Sequence, residues 1–168
     1  MPALAVAILL AFVQPFDFAQ AGPELIERTL AIVGGQAITL SDVRAALSLG
    51  LIAPPADTNP IPAATRQLIE RALVLREVER YAPPDPPERA VDERMRETAA
   101  RFPTPVAFEA ALAAVAFTEA HLRAWLRDDL RMAAYVNQRF TDAERRADMM
   151  ADWIADLRRR TPVIEIVK

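Results

Sequence analysis

Fourteen prolines and only four glycines in 168 residues, with the prolines bunched, decide most of what this chain can fold into. Proline has no backbone N–H and disfavours helix in the residue before it. The clusters over 54–62 and 83–87, together with Pro105 and Pro162, are therefore places where helices stop or start. The length suits one domain with a real core. Hydrophobic residues at 52% and charged residues at 26% argue against wholesale disorder and against a multi-span membrane protein. A formal net charge of −3 lacks the basic excess used to hold phosphates, so nucleic acid is disfavoured as a partner. Cysteine is absent and His121 is the single histidine, which removes disulfides, thiol nucleophiles and cysteinyl metal sites.

Residues 1–21 read as an export signal. Leu4 to Val13 is almost wholly apolar and too short to span a bilayer comfortably. It leads to Ala19-Gln-Ala21, a small-x-small cleavage site. No Lys or Arg precedes the apolar run, and an uncleaved anchor or a misplaced start codon are the alternatives. Cleavage near Ala21 removes Asp17 and no base, leaving 22 acids, 20 bases and 147 residues with no stable membrane insertion expected.

From Glu24 onward the spacing predicts a mainly α domain of five to six helices and a small sheet. Thr29–Val33 and Gln36–Leu40 flank Gly34-Gly35, a hairpin signature. Ser41 is expected to cap a helix ending near Leu49 before Gly50, and residues 53–62 to form a non-helical linker. A broad apolar face over 63–81 marks a central core helix. Residues 88–101 place Val91, Met95 and Phe102 on one stripe. Thr104-Pro105 opens an alanine-rich helix to about Ala116. Thr118-Glu119 opens another, with Leu122, Trp125, Leu126, Ala133, Val136 and Phe140 as core positions. Thr141-Asp-Ala-Glu144 matches a capping box for a last helix that ends in Arg158-Arg-Arg160. Val163–Val167 is a strand that needs a partner, and the hairpin is the available one, so the two ends of the domain should meet in one sheet.

Reactive chemistry is sparse. There is no Gly-rich phosphate loop, Ser-based elbow or paired histidines. Asp92-Glu93 and Asp128-Asp129 lie among arginines, where ion pairs are favoured over acid–base work. Met149, Met150 and Trp153 fit core packing or an adaptable binding surface. No catalytic, cofactor or metal residue is assigned.

The stretch Leu30-Ala-Ile-Val-Gly-Gly-Gln-Ala-Ile-Thr-Leu-Ser-Asp-Val43 resembles the opening strand, turn and helix start of the SurA-like periplasmic chaperones. Gly34-Gly35 stands where that family usually has Asn-Gly. Gln67–Val78 resembles the family's second helix, and Asp152–Val167 is similar to the closing helix and strand of its N-terminal domain. The resemblance implies a chaperone domain over 22–168 in the periplasm. It also implies that the parvulin isomerase domain of longer relatives is missing, since Phe140 runs directly into Thr141 and the parvulin histidines are lacking, so no isomerase activity is expected. The implied function is ATP-independent holding of unfolded outer-membrane or secreted polypeptides, with an envelope scaffold binding one folded partner as the alternative. A client groove is expected among the helices over 88–117 and the final helix, lined by Met95, Phe102, Phe108, Phe117 and Met149.

Overall fold

Strands and helices follow the proline punctuation closely in the computed structural model, which describes residues 28–166. Their order is β1 (Thr29–Val33), β2 (Gln36–Thr39), α1 (Leu40–Ser48), α2 (Pro60–Tyr81), α3 (Glu88–Ala99), α4 (Pro105–Ala114), α5 (Glu119–Arg139), α6 (Arg146–Arg160) and β3 (Val163–Glu165). The architecture is mainly α with one small antiparallel sheet. The expected export signal, residues 1–21, lies outside the described residues.

Gly34 and Gly35 both take positive φ, 54° and 92°, as a two-residue hairpin turn of the right twist requires. The hairpin pairs Val33 with Gln36 and Ala31 with Ile38, with an irregularity between Thr29 and Ala31. β3 then lies antiparallel on the free side of β1, matching Ala31 with Glu165 and Val33 with Val163. The sheet order is β2-β1-β3, so the two ends of the domain do meet. Beyond the strand the Ile166 N–H still donates to the Leu30 carbonyl, at 2.8 Å. Period-two alternation turns Ala31 and Val33 fully inward, where they meet α2.

Three local expectations are corrected. The cap of α1 is Thr39, whose hydroxyl accepts the Asp42 N–H while the Asp42 carboxylate accepts the Thr39 N–H. Ser41 is already inside the helix, because only the earlier residue has the acidic partner three positions on that completes a capping box. Residues 60–62 are helical and not linker. Asn59 caps α2, and Pro60 and Pro62 occupy the first turn, where no intrahelical N–H bond is lost. The last helix begins at Arg146, because Asp142 and not Thr141 is the local acceptor. Its carboxylate takes the N–H groups of Glu144 and Arg145 and forms a turn ahead of the helix. Hydrogen bonding to the Arg145 side chain and to these amides holds Asp142 below the ordinary carboxylate range.

α2 is the axis of the main core. Leu68, Ile69, Leu73, Val74 and Val78 are buried along it, against Val33, Ile38, Val43, Tyr135, Phe140, Trp153 and Leu157 from the elements around it. A second, smaller core gathers Leu49, Met95, Leu112, Leu122 and Leu126 beside the first. α5 serves both, so its buried face turns round the helix from Leu122 and Leu126 to Tyr135. That rotation leaves Ala133, expected in the core, exposed.

Candidate functional site

α4 is the least embedded helix. It begins at a Thr104 cap and Pro105, and Leu112 is its one buried residue. Val106 is 72% exposed, and Ala110, Ala113 and Ala114 are exposed as well. Ala116 takes a left-handed φ of 54° and turns the chain so that α5 leaves at 89° to α4. The Thr118 hydroxyl then accepts the His121 N–H, and His121 Nδ1 accepts the Thr118 N–H in return.

That elbow and the outer side of α1 enclose a cleft of about 880 Å³. Its lining combines short side chains, Ala113, Ala114, Ala116 and Ala124, with the rings of Phe117 and Trp125. Asp42, Arg44 and His121 stand among its polar lining residues. The volume falls within the roughly 300–1,000 Å³ of ordinary ligand pockets. Phe117 lies 6.5 Å from Trp125 and edge-on to His121 at 6.0 Å, so the two rings are fixed against each other. Behind Trp125, the Arg71 guanidinium sits 3.8 Å over the indole, donates to the Trp125 carbonyl and pairs with Asp129 at 3.0 Å. Burial pushes the Asp129 carboxyl above its ordinary range even though Arg71 pulls it down.

Four of the five expected groove residues come together. Met95 is buried in the second core, and Phe102, Phe108 and Phe117 pack against it half-buried. Phe102 and Phe108 form a ring pair at 5.4 Å. Of the four, Phe117 lines the cleft. Met149 stands apart, 37% exposed on α6, a helix that packs on α2. The cleft residues missed at the level of sequence are α1 polar groups and alanines. The one available signal is that Val106 to Phe117 carries a single charge, Glu109, too few to cover a solvated face.

The carboxylate pairs are engaged structurally. Asp92 meets Arg123, Glu93 meets Arg96, Asp128 meets Arg131, and Arg158 reaches Glu165 to fasten α6 to β3. Among the described residues no group of three or more His, Asp or Glu side chains is placed to hold a metal ion. Nor, among them, is any single helix long and apolar enough to cross a membrane. No protein-family model matches the chain, and no curated protein matches it either.

Proposed function

We propose that this protein is an ATP-independent chaperone that holds unfolded outer-membrane or secreted polypeptides in the exported compartment, using the cleft between α1 and the α4–α5 elbow. What supports this function is the cleft itself: a mainly apolar hollow lined by alanines together with Phe117 and Trp125. Short lining side chains leave room for large ones from a client. Burying one such side chain is worth about 1.5–3 kcal/mol. Two of them, less the cost of ordering the client, give weak binding that releases without nucleotide. The resemblance of Leu30–Val43 and Asp152–Val167 to SurA-like chaperones points the same way, and the periplasmic setting is proposed on that resemblance.

The test is suppression of aggregation. Purified protein mixed at stoichiometric ratio with a denaturant-unfolded outer-membrane β-barrel protein is expected to delay light scattering on dilution. Ala113→Glu and Ala124→Glu place a carboxylate in the cleft at exposed positions. They should abolish most of the protection while shifting stability by no more than about 0.5 kcal/mol. Protection unchanged in both variants would remove the cleft from the function. Binding restricted to one folded envelope protein would favour the scaffold instead.

A further inference from the structure

A second concave surface, distinct from the cleft, has a chemistry of its own. It is a groove of about 390 Å³ lined by Tyr81, Pro83, Pro84, Tyr135, Gln138 and Arg139. Tyr81 ends α2 and is 59% exposed, with its ring 5.5 Å from Tyr135 and tilted by 32°. Tyr135 continues inward to Trp153 at 6.0 Å, so the outer tyrosine is backed by a row of rings rooted in the main core. The opposite wall is equally fixed. Ala82, at a φ of 44°, turns the chain into Pro83-Pro84, and Asp85 is held by Arg131 at 3.5 Å.

The charge at this groove is unbalanced. The Arg139 guanidinium lies 5.3 Å from the Trp153 ring and 5.6 Å from the Phe140 ring, and it donates to the Tyr135 hydroxyl at 3.4 Å. None of the ion pairs among the described residues gives it a carboxylate. An arginine spread over rings with no anion is complementary to an acidic group supplied from outside. The exposed Tyr81 ring, fixed proline walls and hydrogen-bonding side chains along a shallow groove suit an extended polyproline II segment. Its pyrrolidine rings stack on aromatics, its carbonyls are all unpaired, and little entropy is lost on docking.

We propose that the Tyr81–Tyr135–Arg139 groove binds an extended, proline-containing segment of a partner polypeptide that carries an acidic residue beside its prolines.

The experiment is a nitrogen-15 NMR titration of the whole protein with three capped pentapeptides: Pro-Pro-Glu-Pro-Pro, Pro-Pro-Lys-Pro-Pro and Ala-Ala-Glu-Ala-Ala. The first is expected to saturate with shifts centred on Tyr81, Gln138 and Arg139, and the other two to bind about tenfold more weakly. Tyr81→Ala, at an exposed site, should weaken the first peptide by about tenfold. Arg139→Gln should abolish the preference for Glu over Lys. Equal binding of all three peptides, absence of saturation, or shifts confined to the Phe117–Trp125 cleft would overturn the proposal. So would self-association of the protein through this groove with exclusion of the peptide. The peptide comparison on the unaltered protein decides the matter even if a variant fails to fold. Loss of chaperone activity in the cleft variants would leave this binding untouched, so the two functions fail separately.

Discussion

Arg71 joins α2 to α5 with one side chain. Its Nε donates to Asp129, its Nη2 to the Trp125 carbonyl, and its plane covers the Trp125 ring. A lysine could not make that combination, because it lacks the flat fork. Asp129 opposite is half-buried, and burial outweighs the arginine in setting its titration, so its folded carboxyl ionises at higher pH than an unfolded one. A raised folded value means that the native state binds the proton more tightly. The resulting stabilisation is full below the ordinary carboxylate range and is lost as pH rises through the raised value. Asp129→Asn removes this linkage. Urea unfolding of both proteins between pH 3 and 7 should therefore show the native protein gaining on the variant as pH falls; parallel profiles would contradict the shift. Arg71→Gln should push Asp129 higher still, since the two largest contributions that oppose burial, the charge and the hydrogen bond of Arg71, leave with the guanidinium. Gly34 shows a comparable dependence on one side chain. Arg76 donates to its carbonyl at 3.2 Å, and a Cβ built there would come within 2.5 Å of that guanidinium.

Among the elements, β3 is the shortest and the most consequential. Three residues close the sheet, Val163 packs on the main core, and the Pro162 carbonyl takes the Gly34 N–H at 2.8 Å. Deleting residues 162–168 costs several ladder hydrogen bonds at about 1 kcal/mol each and uncovers β1, so the melting temperature should fall by about 10 °C or more. A melt within a degree or two of the full chain would mean that the strand carries no load. At this scale much of the fold was legible from the residues. Proline positions, Thr104 and Thr118 caps and the Gly34-Gly35 turn are local signals, and the helices and hairpin follow them. The misses are equally local contests between neighbours. Thr39 outcompetes Ser41, Asp142 outcompetes Thr141, and Pro60 and Pro62 are admitted because a first helical turn has no N–H bonds to lose. The cleft was not legible, because it depends on the 89° turn at Ala116 and on α1 facing that elbow. Neither is written in any single periodicity. Met95 and Met149 illustrate the same gap, since helical spacing tells which residues share a face and not which helix will cover it.

Two cores of unequal size imply unequal local stability across the molecule. The main core ties both ends of the domain and α2, α5 and α6 together, whereas α4 is held by Leu112 with Phe108 and Ala111 half-buried beside it. Openings of α4 should therefore be frequent and independent of global unfolding. Amide exchange is expected to be about a hundredfold faster over Phe108–Ala114 than over Leu68–Val78. Uniform protection across both helices would refute a separately opening elbow. The sheet has a further consequence, in time rather than in space. β1 is the central strand, yet one of its two neighbours is contributed by residues 163–165, more than a hundred positions later. During synthesis from the amino end, β1 and β2 emerge early, and β1 waits with one of its two neighbours while every helix follows. Completion of the sheet is thereby scheduled for the arrival of residues 163–165.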